Sequence, residues 1–236
     1  GWLEALRAIL ARGLGMDVYV TWQPGRVERA LELGVRHIMV WYRVGEVYQR
    51  LASARPREAL LDEMRAAVRA ARVAGAEVNL FLPECTRASL EHILAAARAA
   101  EAEGASAVTV VDSQGVARPG AIAFLVRTLR AETGLGVEVH CHNDFGLAVA
   151  NVLAAYEGGA TALHVAANAV GYRAGNAALE EVAMALEVLY GVDTGLRLDL
   201  LPEVSRLVEE VSGLANGYFK PIVGRGAFAY ERWEAT

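Results

Sequence analysis

Two histidines separated by one residue, His140 and His142, close a strand-like run, Val137-Glu138-Val139-His140-Cys141-His142. Side chains at i and i+2 of a strand leave by the same face, so both imidazoles project together. Imidazole is the commonest protein metal ligand, and a divalent-cation site is the chemistry this pair points to. Cys141 between them faces the other way and is expected to pack as a small apolar residue. Asn143 and Asp144 follow, placed to orient the imidazoles from behind, although Asp144 would equally serve as cap for a helix starting near Gly146. The other histidines, His37, His92 and His164, are isolated and read as core or surface residues.

The elements that must hold this pair alternate between helix and strand along the chain. Amphipathic helices are read over Leu3–Arg12, Pro24–Leu33, Pro56–Ala74, Ser89–Glu103, Pro119–Glu132, Leu147–Tyr156, Ala177–Tyr190 and Val204–Val211. Several of them close on glycine, as helices commonly do. Six short apolar strands, Met16–Trp22, Val35–Tyr42, Ala76–Leu82, Ala105–Val111, Gly136–Cys141 and Ala160–Ala167, lie between them. Short apolar strands each followed by a helix argue for a parallel sheet built of βα units.

Polar residues stand just past nearly every strand: Glu84, Asp112 with Ser113, His140 with His142, and Asn168. In a (β/α)8 TIM barrel the strand ends converge on one site, whereas in an open sheet they are strung along an edge. No G-x-G-x-x-G turn follows a strand, which counts against a Rossmann domain. The fold class read from the sequence is therefore α/β, a TIM barrel. Such a barrel has eight strands and six are present, so the first two βα units are expected to be missing from the chain, a segment of roughly 50 residues. The chain opens on Gly1, not Met, in keeping with that expectation. Residues 1–199 are read as the barrel domain and residues 200–236 as a short C-terminal helical extension.

Composition narrows the function classes. The 236 residues are 54% hydrophobic, ample for a large core, and no apolar run is long enough for a membrane span. The start reads as a helix, not a charged leader, and a net charge of −5 gives no reason to expect nucleic acid. A cytoplasmic enzyme is the expectation. Two cysteines, Cys85 and Cys141, are too few for a disulfide framework, and nothing beside Cys85 in sequence activates its thiol. Lys220, next to Pro221, is the sole lysine, so Schiff-base or pyridoxal chemistry is disfavoured.

His140-Cys141-His142-Asn143-Asp144-Phe145-Gly146, followed by Gly171-Tyr172-Arg173-Ala174-Gly175-Asn176, resembles the DRE-TIM metallolyase superfamily. That superfamily includes isopropylmalate, homocitrate and citramalate synthases, HMG-CoA lyase and 4-hydroxy-2-oxovalerate aldolase. Asp112-Ser113-Gln114-Gly115-Val116 is similar to its D-T-x-G-v motif, Pro83-Glu84 to its P-E-D, and Lys220-Pro221-Ile222-Val223-Gly224 to the K-P-I-V-G of the synthase branch. The likeness covers essentially the whole chain. It implies a divalent metal (Mn, Zn, Mg or Co) held by His140, His142 and Asn176. The fourth ligand of the family, an aspartate at the end of the first strand, and the arginine beside it are absent here.

The resemblance further implies a metal-dependent carbon–carbon bond enzyme that condenses an acyl-CoA, such as acetyl-CoA, with a 2-oxo acid, working as a homodimer. A lyase or aldolase on the same metal site is the alternative, and a degenerate, non-catalytic barrel a third reading. Glu84, Asp112 and Arg173 are the expected catalytic residues, Arg173 holding a carboxylate or else pairing with Glu180 or Glu181. Ser113, Tyr48, Ala166 and Tyr172 are the expected substrate contacts. Tyr172 stands where many synthases have glutamate, Ala166 where they have threonine, and Tyr48 at a histidine place. The synthases' C-terminal catalytic histidine is not seen in Ala229-Tyr230-Glu231-Arg232-Trp233. Tyr230 and Trp233 join Tyr48 and Tyr172 as candidates for a reshaped pocket.

Overall fold

The computed structural model describes residues 1–23, 27–49 and 55–229. Strands β1 (Tyr19–Thr21), β2 (His37–Trp41), β3 (Glu77–Leu82), β4 (Ala107–Asp112), β5 (Gly136–Cys141) and β6 (Ala162–His164) hydrogen-bond in the order of the chain. The β1–β2, β2–β3 and β3–β4 pairs are parallel. Strands that pair in sequence order, each followed by a helix, follow the barrel succession, because a doubly wound sheet reverses its strand order part-way. The helices are α1 (Trp2–Leu10), α2 (Val27–Glu32), α3 (Glu46–Tyr48), α4 (Arg57–Val73), α5 (Leu90–Ala102), α6 (Pro119–Glu132), α7 (Ala148–Glu157), α8 (Leu179–Tyr190) and α9 (Leu201–Ser212). Among the described residues, no helix is long and apolar enough to cross a membrane.

The chain divides into two compact units, residues 1–111 with 128–138, and residues 112–127 with 139–236. In the first unit, α4 turns Leu61, Met64, Val68 and Ala71 inward, the spacing of one helical face. The helix stops where Gly75 takes φ +85. Ser89 starts α5 by accepting the His92 backbone N–H at 3.3 Å, the N-cap chemistry expected of serine. Ile38, Val78, Leu80, Leu82 and Val108 are fully buried, each leucine or isoleucine contributing about 1.5–3 kcal/mol through burial. Thr109 donates to Asn79 Oδ1 at 2.9 Å, with Glu138 Oε2 at 3.4 Å, so buried polar side chains of β3, β4 and β5 meet inside this unit.

In the second unit α7 buries Ala148, Asn151, Val152 and Ala155, and α9 packs on the turn Ala167–Ala169. Several boundaries shift from the sequence reading, two of them in this unit by three residues. The strand expected over Ala160–Ala167 ends at His164, because Asn168 and Ala169 take left-handed backbone (φ 56 and 58) that no strand accommodates. The last helix begins at Leu201, not Val204, with Pro202 in its first turn, and the division expected at 199/200 falls inside the 3-10 turn Leu198–Leu200. The start of the helix expected over Pro24–Leu33 lies in part outside the described residues, which resume at Val27.

Candidate metal centre

Backbone pairing brings the expected metal ligands together in the second unit. His142 and Asn176 form an antiparallel bridge, flanked by Asn143 N–H to the Gly175 carbonyl at 2.9 Å and Ala177 N–H to the Cys141 carbonyl at 3.2 Å. Residues directly opposite in such a pair lie side by side on one face. The Asn176 amide therefore stands next to the His142 ring, and His140 shares that face by strand alternation. The two imidazoles are 5.1 Å apart between centroids, edge to face.

Two buried polar atoms at this place have no hydrogen-bond partner: His142 Nδ1 and Asn176 Oδ1. Buried polar atoms are nearly always satisfied, so orphans call for an explanation. A ring nitrogen and an amide oxygen, side by side and unspent, are a donor set for a divalent cation. Both rings are shifted toward the neutral form. Burial, and then the neighbouring His164 and His142 imidazoles, hold the His140 pKa down to about 4. Burial, and then the Arg173 guanidinium, lower that of His142. Among the described residues no three His, Cys, Asp or Glu side chains form a metal-binding group. The candidate set here is two imidazoles and an amide oxygen.

Glycines make room for these groups. A Cβ at Gly171 would lie 2.5 Å from Asn176 Nδ2 and 2.7 Å from its Cγ, so only glycine lets the amide rest there, donating to the Val170 carbonyl at 3.1 Å. Gly115, at φ +60, lies against the His loop. A Cβ there would meet the Asp144 nitrogen at 2.7 Å and the His142 carbonyl at 2.8 Å.

The roles around the pair differ in part from those expected. Asp112 is fully buried, and its carboxylate accepts the backbone N–H groups of Val116 at 3.2 Å and Ala117 at 3.0 Å. Through those two bonds it organises its own loop. Arg173 pairs with neither Glu180 nor Glu181. Its guanidinium forks onto Asp144 at 2.6 and 2.8 Å and donates to the Ser113 carbonyl at 2.7 Å, tying three loops together. That fork lowers the Asp144 pKa and raises that of Arg173. Asp144 is thereby engaged by Arg173, and Asn143 Oδ1 accepts the N–H of Ala148, the first residue of α7, at 3.1 Å. The exposed Tyr172 ring lies nearly parallel to the His142 imidazole, 6.4 Å between centroids. Ala166, in hydrogen bonds with Ala177 and Leu179, lines an apolar groove of about 460 Å³ with Val170, Leu207 and Val211.

Glu84 and Tyr48 belong to the first unit. Glu84 follows β3 in left-handed backbone (φ 64) and lies against Gly45, where a Cβ would fall 2.6 Å from its own. Tyr48 closes α3, and its side chain lies outside the described residues, as do Tyr230 and Trp233. Cys85 and Cys141 are buried, and burial, then Asp112, pushes the Cys141 thiol up, as an inert apolar packer requires. His92 is a core residue bonded to the Tyr42 hydroxyl at 2.8 Å. His164, read from sequence as a core or surface residue, instead stands at the end of β6 with its ring 5.6 Å from that of His140. The strand-end rule that selects His140 would have selected it too.

The HMGL-like family model matches residues 2–208. The chain belongs to the HMGL-like family. It is 38% identical over 234 residues to a probable 2-isopropylmalate synthase of Ignicoccus hospitalis, covering 98% of this chain and 59% of that one. It is 38% identical over 230 residues to the homocitrate synthase AksA of Methanopyrus kandleri, covering 97% of this chain and 58% of that one. The chain thus spans somewhat more than half the length of these relatives. Among solved structures, hydroxymethylglutaryl-CoA lyase from Pseudomonas aeruginosa superposes with TM-score 0.78 at 22% identity, over 92% of this chain and 75% of that one, which is a likeness of fold. As an HMGL-like member, the chain falls in the DRE-TIM metallolyase superfamily that its motifs resemble.

Proposed function

We propose that the protein is a divalent-metal-dependent enzyme of carbon–carbon bond formation, condensing acetyl-CoA with a 2-oxo acid. The observation that carries this reading is the pair of orphaned atoms, His142 Nδ1 and Asn176 Oδ1, held side by side by a backbone bridge. Its likeness to proteins named isopropylmalate and homocitrate synthase supports the direction of the reaction.

His140, His142 and Asn176 would hold the ion. A divalent cation there supplies Lewis-acid polarisation of a carbonyl while keeping coordination positions open. The chain's own residues do the positioning. Depressed imidazole pKa values keep both rings unprotonated near neutrality, the only form that can ligate. Gly171 and Gly115 let the Asn176 amide and the His142–Asp144 backbone approach closely. Arg173 fixes the loops of Ser113 and Asp144 about the pair. In the condensation the acetyl methyl carbon would lose a proton and bond to the keto carbon, whose oxygen takes up a proton to become a hydroxyl, and water would then cleave the thioester to a carboxylate and free coenzyme A thiol. Ala166 and Tyr172, at threonine and glutamate places of the synthases, suit a 2-oxo acid different from theirs. A homodimer in the cytoplasm completes the proposal.

The test is thiol release from acetyl-CoA against a panel of 2-oxo acids, with and without added Mn²⁺, Zn²⁺, Mg²⁺ or Co²⁺. Release that depends on both the oxo acid and the metal is expected. Cleavage of hydroxy-acyl substrates without condensation would move the reaction to the lyase alternative. No metal bound and neither reaction would leave the degenerate barrel.

A further inference from the structure

The sole lysine of the chain is the cation of a largely buried three-residue ion cluster in the second unit. Lys220 Nζ forms an ion pair with Glu180 Oε1 at 2.9 Å, without hydrogen-bond geometry, and donates a hydrogen bond to Glu181, with the lysine side chain only 15% exposed. Burial works against the Lys220 charge, but the two carboxylates outweigh it and its pKa ends above the ordinary lysine value. Glu180 is itself buried, and its Oε2 accepts the Asn168 backbone N–H at 3.1 Å. A buried carboxylate without a cation is strongly destabilising, so Glu180 stays where Lys220 keeps it.

The turn that Glu180 grips is otherwise unfavourable. Asn168 and Ala169 both take left-handed backbone, which for alanine costs roughly 1–2 kcal/mol and persists only where the surroundings over-determine it. They do so here. Asn168 Nδ2 donates to the Ser205 carbonyl at 2.8 Å, and its Oδ1 accepts the Ser205 hydroxyl at 2.7 Å. Asn216 Nδ2 donates to the same hydroxyl at 3.0 Å. The turned Ala169 carbonyl then accepts the Asn176 backbone N–H at 3.0 Å. A Cβ at Gly175 would collide with that carbonyl oxygen, so the contact is close as well as bonded. A continuous path runs Lys220, Glu180, Asn168, Ala169, Asn176.

We propose that Lys220 is a positioning residue of the metal centre: through Glu180 it holds the Asn168–Ala169 turn, and through the Ala169 carbonyl the backbone of the amide ligand Asn176. This rests on Asn176 being a ligand. The segment after α9 thereby sets the position of a group 44 residues earlier in the chain (220 less 176).

Titration of Mn²⁺ and Zn²⁺ into the wild-type protein, Lys220→Met and Lys220→Arg tests it, with amide hydrogen exchange at Asn168 and Asn176 followed without metal. Lys220→Met is expected to weaken metal binding about ten- to hundredfold, as loss of outer support does, and to speed exchange at those two amides selectively. Lys220→Arg, which keeps the cation, should recover most of both. If Lys220→Met does not fold, Ser205→Ala, which removes the hydroxyl bond to Asn168 Oδ1 and leaves the Nδ2 bond to the Ser205 carbonyl, carries the same expectation at reduced size. Metal binding within twofold of wild type, with both amides still protected, overturns the positioning role alone. A wild-type protein that binds neither ion overturns the metal centre itself, and the positioning role with it.

Discussion

Gly171→Ala is a one-methyl perturbation that reaches the centre without replacing a ligand. The added methyl would sit 2.7 Å from Asn176 Cγ and 2.5 Å from Nδ2, against a carbon–carbon optimum of about 3.5 Å. The amide must retreat by about 0.8 Å to relieve it. Metal–ligand distances tolerate about 0.2 Å, so the amide oxygen would leave the donor set. The retreat also breaks the Nδ2 bond to the Val170 carbonyl, worth about 1 kcal/mol, which is roughly 2–4 °C in melting temperature for a chain of this size. The expected signature is therefore a small loss of stability beside a large loss of metal affinity, about tenfold or more by analogy with loss of outer support. Competition against a chromophoric chelator reads the affinity, and a melting curve in excess chelator reads the stability. Wild-type affinity in a protein with unchanged melting temperature would refute the cradle argument.

Other consequences follow from the same geometry. With its folded pKa near 4 and an ordinary value of 6.5, His140 leaves the unfolded chain binding a proton that the folded chain does not. Its contribution to metal-free stability is thus present above pH about 6.5 and falls away towards pH about 4, by at most about 3 kcal/mol. Urea titrations of wild type and His140→Leu across that range should differ in slope, and identical slopes would count against it. Gly115→Ala places a methyl against the His142 carbonyl at a left-handed position, and should cost about 1–3 kcal/mol, visible as a fall in the urea midpoint. Arg173→Lys removes a two-pronged grip that an ammonium cannot reproduce. Since the guanidinium is half exposed, stability should fall by less than about 1 kcal/mol, while metal affinity falls measurably. Equal affinity would show the three loops to be held without it.

How far the sequence reaches depends on where each residue's partner lies. The bounds of β5 and α6, Gly136–Cys141 and Pro119–Glu132, are those the sequence indicates, since a glycine and a proline punctuate strong local patterns there. The His140/His142 geometry follows from strand alternation alone, and Asn176 joined it through the family resemblance. The C-terminal end of β6 falls three residues short of the expected one because the turn that follows is stabilised by Ser205, 37 positions away, and Glu180, 12 away. Nothing local in Ala167-Asn168-Ala169 announces a left-handed pair. The same limit applies to Arg173, whose partner Asp144 is 29 positions off, and to Lys220, read only for the chemistry it does not do. His164 looks solitary in sequence and acquires its neighbour only when β5 and β6 come together.

The most direct test of the metal centre is anomalous scattering from crystals of the protein grown with Mn²⁺ or Zn²⁺. A single strong peak within about 2.0–2.3 Å of one nitrogen each of His140 and His142 and of the Asn176 amide oxygen is predicted. No peak there, in crystals where the metal occupies other positions, would contradict it.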